Sequence, residues 1–541
     1  MRTEIFLVVI LTASHVQGAS ILFFHNVASY SHRVATWPLA QALAQRGHQV
    51  TVLSPFYFKE PNPNITEIVP DSVEKYVDRW LGSEFDINLR VTKTISPLVS
   101  HIFSFGIETC KLFLTSPELQ DWLNKTRTLD LVIIDNAVAE CGVGIAYKYK
   151  AKHIFFNTVI SHPHENDFLG LVPESFAIPE LEDNPLVAPM SFFDRLRNTV
   201  TSLIWMNVHS SYIQDVDNLI RTHLQAENMP YLYDLARNAS LVLYTGDPVT
   251  DFPRSHPPMF VNVAGMHCQA SGKPLPMEIQ AFLNGAYNGF VYISLGSFIM
   301  SSDLPEEILA LFFQVIEAFP NVKFLWKWNG DFPEKIPNNL LMAKWFPQRD
   351  LLANPLVRVF ITQSGRPSIL ESVFHGVPMI AFPVIGDQDN NANRLNNMGG
   401  NIKLELGTVT FIQLREAIAD MLSNPEWKYR MQELQTILRD RPMSPINTAV
   451  WWTEYILRHS DVDHLKSAGF HQPWYQRRLL DVWGVLFLVV AIFFLYCVCI
   501  IILTIKLMLS VMRQIMLIFK LWAKNRNNGV GDTADMKLKM Y

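Results

Sequence analysis

The 24 residues Val482–Ile505 carry no charged side chain. As a helix rising 1.5 Å per residue they span about 36 Å, more than the ~30 Å hydrocarbon core of a bilayer. The run is unbroken and shows no polar face, which argues against a helix buried in a globular core. It therefore separates a long globular part from a short basic tail over residues 506–541. Lys506, Arg513, Lys520, Lys524 and Arg526 follow the run, against Lys466, Arg477 and Arg478 before it. That excess favours a cytosolic C-terminus. Leu507–Trp522 is also apolar apart from Arg513 and Lys520. It reads as a continuation of the helix or an interfacial helix, and less well as a second span.

The N-terminus reads as a secretory signal over residues 1–18. Arg2 supplies the positive start and Ile5–Leu11 the short apolar stretch, and Val16 and Gly18 are small enough to precede cleavage before Ala19. Residues 19–481 are then expected in the lumen. Sequons at Asn64, Asn124 and Asn238 fit that side of the membrane. Lys537–Tyr541 resembles a dilysine endoplasmic-reticulum retrieval signal, with an ordinary basic tail as the alternative. The expected location is the endoplasmic-reticulum membrane, single-pass, with the globular part lumenal. Cys497 and Cys499 fall inside the span, so Cys110, Cys141 and Cys268 allow at most one intrachain bridge.

Charged residues make up 18% and hydrophobics 49%, which excludes a mainly disordered chain. A net charge of −5 argues against a nucleic-acid binder.

Within the lumenal part, apolar runs alternate with helix-like stretches. Residues 20–27 and 48–54 read as strands around a helix that starts near Pro38 and ends at Gly47. Residues 129–135 and 153–156 are further strands around a helix over 141–149. Gly265, Gly272, Pro274 and Pro276 mark a break, and the alternation restarts with strands at 289–295, 322–328, 340–346, 357–362 and 377–382. Residues 160–240 read as loops and helices over the first domain. The pattern predicts an α/β chain of two Rossmann-like doubly wound domains facing across a cleft. The first covers 19–262, a linker 263–277, the second 278–460, and a return segment 461–481 precedes the transmembrane helix at 482–505.

The densest chemistry lies in residues 360–388. A strand ending at Thr362 runs into Gln363-Ser364-Gly365-Arg366, and Pro367 and Ser368 open a helix. A strand-to-helix turn with glycine offers backbone N–H groups to an anion. Glu371 follows on that helix, and Asp387-Gln388 close the next strand's carboxyl end, where ligands of such sheets bind. Phe360–Gly365, Ser368, Glu371, His375-Gly376-Val377-Pro378, Pro383 and Asp387-Gln388 resemble the signature of the UDP-glycosyltransferase family. Trp345-Phe346-Pro347-Gln348 is similar to that family's uracil-binding stretch, and Pro473-Trp474-Tyr475-Gln476 is similar to insect members.

The resemblance implies the two-domain GT-B fold and a UDP-sugar co-substrate, UDP-glucose by the insect likeness, with no cofactor and no metal. Trp345 would stack on uracil, Gln348 would bond the base or ribose, and Glu371 would accept from the ribose hydroxyls. Ser297 and the turn at Gln363, Ser364, Gly365 and Ser368 would hold the diphosphate, and Asp387 and Gln388 the transferred sugar. The family's catalytic dyad maps onto His32, expected on a loop at a strand's carboxyl end, and Asp135 at the same sheet edge. Glu140 is the alternative partner. A base there would deprotonate a hydroxyl of a small lipophilic acceptor, which displaces UDP with inversion and serves detoxification-type conjugation. Oligomeric state is left open.

Asp215-Val216-Asp217, Asp387-Gln388-Asp389 and Asp461-Val462-Asp463 have metal-motif spacing, but pairs of this kind are common on surfaces. His162-Pro163-His164-Glu165 suggests either metal ligands or, preferably, a loop bordering the acceptor pocket. Gln363 replaces a histidine common in relatives, Ser364 a glycine, and Tyr244–Asp247 departs from the family pattern. Arg366 either adds a cation near the diphosphate or faces solvent. A second reading, an impaired member that binds ligand without turnover, rests on Ser364 and residues 244–247.

Overall fold

Short runs of consecutive apolar residues bury both faces, and such strands pair in parallel beneath helices. The computed structural model describes residues 18–26, 29–83, 87–92, 98–159, 162–180, 188–268, 272–297 and 299–535. The expected signal peptide and the Lys537–Tyr541 tail lie outside them. Among the described residues thirteen strands form two all-parallel sheets. The first contains β1 (Ser20–Phe24), β2 (Gln49–Leu53), β3 (Ile65–Ile68), β4 (Leu131–Asp135), β5 (Lys152–Asn157), β6 (Leu241–Tyr244) and β7 (Phe260–Asn262). Their order is β3-β2-β1-β4-β5-β6-β7. The second contains β8 (Phe290–Ser294), β9 (Lys323–Lys327), β10 (Leu340–Ala343), β11 (Val357–Thr362), β12 (Met379–Ala381) and β13 (Asn401–Lys403), in the order β10-β9-β8-β11-β12-β13.

Both orders reverse direction beside their first strand, and the crevice at the carboxyl ends of the two central strands is where such sheets bind ligands. In the first sheet that point lies between β1 and β4, and in the second between β8 and β11.

The helix expected to start at Pro38 starts at Tyr30 and runs to Gln45, with Pro38 inside it. Ser29, in extended conformation, precedes it. His32 therefore stands in the first turn of a helix and not on a loop. Residues 160–240 hold a 33-residue helix, Phe192–Leu224, opened by a capping box in which Ser191 and Asp194 satisfy each other's backbone N–H groups. The helix Pro445–Arg458 packs into the core of the first sheet through Ala449, Val450 and Ile456. Glu454 on it pairs with Arg46 and lies 3.4 Å from His48. The short segment Ile87–Thr92 crosses the other way. Ile87 is buried in the core of the second sheet. Arg90 bonds Asp389 at 2.8 and 3.1 Å and Glu405 at 2.8 and 2.7 Å.

Cys110 and Cys141 form a disulfide, which leaves Cys268 as the free thiol among the three outside the apolar helix. The chain divides into two compact units at Phe470 and His471. The second holds one continuous helix, Leu480–Asp535, so no turn separates the two apolar stretches. Its Leu480–Arg526 portion is the one described helix long and apolar enough to cross a membrane.

Candidate active site

Parallel strands all deliver their carboxyl ends to one edge, so residues just after β1, β4 and β5 converge there. His32 Nδ1 lies 2.8 Å from Asp135 Oδ2. Thr158, after β5, donates to Asp135 Oδ1 at 2.8 Å and also meets His32 Nδ1. His25 Nδ1 approaches the same Asp135 oxygen at 3.8 Å. Burial works against the Asp135 charge, but His32 and then His25 beside it hold the carboxyl well below the usual range. Burial lowers the pKa of His25. Glu140 is not the partner of His32. It accepts from His209 Nε2 at 3.0 Å and Tyr212 OH at 2.9 Å on the long helix.

His32 opens onto a cavity of about 620 Å³ that runs from the first sheet to the second. On the side of the first sheet its walls include Trp37, Phe58, Phe103 and Trp205. His162, His164 and Glu165 also line it, on a short helix (Pro163–Phe168) rather than a loop. Their ligating atoms lie within 4.8 Å of one another. Glu165 is already engaged by His162 Nδ1 at 3.1 Å and by Asn157 Nδ2 at 3.0 Å.

On the second sheet, Gln348, Ser368 and Glu371 form one network. Gln348 Nε2 donates to Ser368 Oγ at 3.1 Å and Glu371 Oε2 at 2.7 Å. Burial pushes the Glu371 pKa up to about 7. Trp345 is 45% exposed. Lys59, from the first lobe, places its Nζ 3.0 Å from the Trp345 ring centroid, and Tyr30 meets the ring edge-on at 5.6 Å. The face expected to receive uracil thus carries an ammonium group in this structure.

The turn after β11 is tightly built. Ser364 adopts φ +71°, a left-handed conformation that costs a residue with a Cβ about 1–2 kcal/mol. The Oγ atoms of Ser364 and Ser297 are buried with no hydrogen-bond partner among the described residues. Gln363 accepts from Thr362 Oγ1 at 2.9 Å and lays its amide over Gly296, where a Cβ would come within 2.0 Å of Nε2. Lys327, at the end of β9, is buried, donates to the carbonyl of Gly296 at 2.5 Å and lines the cavity. Burial and then the Lys59 charge bring its pKa down to about 8. Sequence reasoning missed Lys327, Lys59 and Thr158. Of these only Thr158 had a local signal, as a polar residue just past a strand's carboxyl end.

Arg366 does not face solvent. It is buried 3.1 Å from Asp251 and 3.7 Å from Asp387 and donates to Asn391 at 3.1 Å. Gln388 uses its Oε1 to accept from the backbone N–H groups of Val384 and Ile385, so its amide nitrogen is the atom it can offer a ligand. Asp389 pairs with Arg90 and with Lys403 at 2.6 Å, Asp217 with Arg221, and Asp463 with Lys466. Residues 244–247 serve the framework. Thr245 donates to the Asn157 carbonyl at 3.0 Å, and Asp247 pairs with Arg441 at 2.6 Å.

The family model described as "UDP-glucoronosyl and UDP-glucosyl transferase" matches residues 21–517. The chain belongs to the UDP-glycosyltransferase family. Its members use a UDP-sugar as co-substrate and need no cofactor. Among curated relatives, "UDP-glycosyltransferase UGT5" of Dactylopius coccus is 31% identical over 86% of this chain and 89% of its own. "UDP-glucuronosyltransferase 1A3" of Rattus norvegicus is 31% identical over 89% and 91%. Among solved structures, the calicheamicin glycosyltransferase CalG4 aligns with a TM-score of 0.54 at 15% identity, covering 82% of this chain and 100% of its own. That likeness shows the shared GT-B fold of two facing parallel sheets. A UDP-glycosyltransferase must bring a nucleotide, a sugar and an acceptor to one point, and the cavity is bordered by His32, Ser297, Trp345, Gln348, Gln363, Gly365, Ser368, Glu371, Asp387 and Gln388, whereas Asp135 and Ser364 are buried behind its wall.

Proposed function

We propose that this UDP-glycosyltransferase transfers glucose from UDP-glucose, with inversion, to a hydroxyl of a small lipophilic acceptor, in the lumen of the endoplasmic reticulum. The first lobe binds the acceptor and the second the nucleotide sugar. The observation that carries the reading is the 2.8 Å bond between His32 and the buried Asp135, with His32 lining the cavity that also borders the turn after β11.

In this mechanism His32 takes the acceptor's hydroxyl proton on Nε2, and Asp135 stabilises the imidazolium that forms. The acceptor oxygen bonds to the anomeric carbon as the bond from that carbon to the UDP oxygen breaks. Negative charge then grows on the diphosphate. It is met by the Ser297 hydroxyl, the N-terminus of the helix Arg366–His375 and the Lys327 ammonium, all of which border the cavity. Lys327 supplies the positive charge that Gln363 cannot. Uracil displaces Lys59 from the Trp345 face, and Glu371 and Gln348 take the ribose.

Asp387 and the amide of Gln388 hold the sugar hydroxyls. A neutral hexose suits that end. Arg366 beside Asp387 is already paired with two carboxylates, so a glucuronate carboxylate would meet Asp387 without a spare cation there. The aromatic walls suit a flat lipophilic acceptor. Asn64, Asn124 and Asn238 are exposed, as glycan acceptors must be, and a disulfide fits an oxidising compartment.

The test is donor competition on membranes carrying the full chain. UDP-glucose, UDP-galactose and UDP-glucuronate are offered with a phenol and steroid panel, and His32→Ala serves as the control. Glucoside formation abolished in His32→Ala supports the reading. Transfer from UDP-glucuronate alone, or none from any donor, refutes it.

A further inference from the structure

Sugar transfer by His32 and Asp135 leaves three buried titratable groups on the same cavity without a task. His162, His164 and Glu165 all line that cavity, and their ligating atoms lie within 4.8 Å of one another. Two histidines and a carboxylate are a ligand set that divalent zinc takes, with a fourth position left open. Among the described residues this is the one such group of three.

The plainer alternative is a set of core histidines whose bonds are all made. Two observations speak against it. His164 Nδ1 is buried and has no hydrogen-bond partner among the described residues. Glu165 is buried, and no lysine or arginine among the described residues pairs with it; His162 is the basic group beside it. A buried carboxylate is costly unless it is paired or coordinates a metal. Glu140 nearby is different, since it accepts from both His209 and Tyr212. His209 stacks on His164 with ring centroids 4.2 Å apart but gives Nε2 to Glu140, so it stands behind the set.

The spacing suits an ion. His162 Nδ1 and Glu165 Oε1 are 3.1 Å apart. Two corners of a tetrahedron with metal bonds of about 2.0–2.1 Å lie about 3.3 Å apart. An ion that takes the place of the proton between those atoms needs little movement of either. An inward turn of the His164 ring supplies the third corner. Asn157 Nδ2 donates to Glu165 Oε2 at 3.0 Å and orients the carboxylate, as the outer partners of metal ligands do. The next residue, Thr158, donates to Asp135 beside His32. Consecutive residues at the end of β5 thus hold the cluster and the His32–Asp135 pair.

We infer that His162, His164 and Glu165 bind a divalent cation of the zinc class, with its open position toward the cavity. Members of the family need no cofactor, so the ion is a brake and not a part of the transfer. Bound there, it occupies space that the acceptor needs. The site rests on the side-chain cluster alone; the braking rests on the proposed reading of this end of the cavity as the acceptor's.

The untagged full chain, stripped with a chelator in detergent micelles, is titrated with Zn²⁺ in a calorimeter and with Co²⁺ in a spectrophotometer. One ion per chain should bind, and Co²⁺ should show the intense visible absorption of a four-coordinate site. His164→Ala and Glu165→Gln should each lower the affinity at least tenfold and remove that absorption. UDP affinity, the control for folding, should change less than twofold. In the parent, Zn²⁺ should raise the acceptor KM at least threefold with kcat nearly unchanged, an effect lost in His164→Ala. Ion affinity equal to the parent's in both variants, or a Co²⁺ spectrum of six-coordinate form alone, overturns the site. An acceptor KM that saturating Zn²⁺ leaves unchanged overturns the brake. Ion binding is read without turnover, so a protein that transfers no sugar would refute the proposed function and still decide the site.

Discussion

Replacing Asp135 with asparagine keeps the size of the side chain and removes its charge. In the proposed reaction the imidazolium of His32 exists only as the sugar transfers, so the Asp135 charge acts on the transition state and not on donor binding. The two groups bond at 2.8 Å through Nδ1 and Oδ2. Their charge centres are then about 4 Å apart, worth about 4 kcal/mol at an effective dielectric constant of ~20. At 1.36 kcal/mol per decade that is about a thousandfold in kcat. Asp135→Asn should therefore lose about three decades in kcat, with the UDP dissociation constant changed less than twofold. His32→Ala should lose at least as much, and the double variant no more than His32→Ala alone, because the residues act as one unit. The assay is single-turnover transfer of labelled glucose, with UDP binding measured separately by calorimetry. An Asp135→Asn enzyme within tenfold of the parent, or single-variant losses that multiply in the double variant, would refute the reasoning.

Three more outcomes are expected. With its pKa raised to about 7, Glu371 in the proposed site accepts from the ribose more strongly when ionised, so UDP affinity should rise between pH 6 and 8, a rise that calorimetry should find reduced in Glu371→Gln. Because its folded pKa lies above the unfolded value, the ligand-free protein should lose stability as pH rises from about 4.5 to 7, a slope that Glu371→Gln removes in denaturation curves. Arg90→Ala leaves the buried Asp389 with Lys403 alone and should cost about 1.5–3 kcal/mol with a higher KM for the UDP-sugar, partly restored by Arg90→Lys. Ser364→Gly relieves a left-handed residue and should raise the melting temperature by ~1–2 °C; a fall would mean the hydroxyl holds the turn together.

Length decided most of what the sequence revealed, with β10 and β12 as exceptions, strands of four and three residues set in longer apolar runs that were read as strands. β1, β4, β8 and β11 are five or six residues long, each with three or four consecutive apolar residues (Ile21–Phe24, Leu131–Ile134, Phe290–Ile293 and Val359–Ile361), and their carboxyl ends lead into the site. β3, β6, β7 and β13 have three or four residues, too few for a period to show. Pro38 misplaced the first helix, since proline more often opens a helix than sits within one. The long helix was hidden for a different reason. Its apolar residues face outward in its first half and inward later, where Ile213, Val216 and Ile220 are buried. Summed over its length the two directions cancel, and no single amphipathic stripe appears.

The same distinction governs the site. Contacts within one sheet edge were readable because parallel topology alone brings residues after β1 and β4 together. Contacts between the lobes were not, because nothing local to Lys59 or Arg90 says which distant residue it will meet. Those cross-lobe contacts nevertheless decide how the site is set in the absence of substrate. Lys59 lies over the Trp345 ring with burial lowering its pKa to about 8, a position held at a cost in desolvation. A uracil that displaces it returns the ammonium toward water and relieves that cost. Arg90 works in the opposite sense. Its four bonds hold the first lobe to Asp389 on the helix Gln388–Asn397 and to Glu405 beyond it, and in the proposed reaction that helix's first residues hold the sugar. One contact gives way to the donor while the other fixes the wall it binds against. Donor binding can then rearrange the uracil end of the cleft while the geometry at Asp387 and Gln388 stays in place.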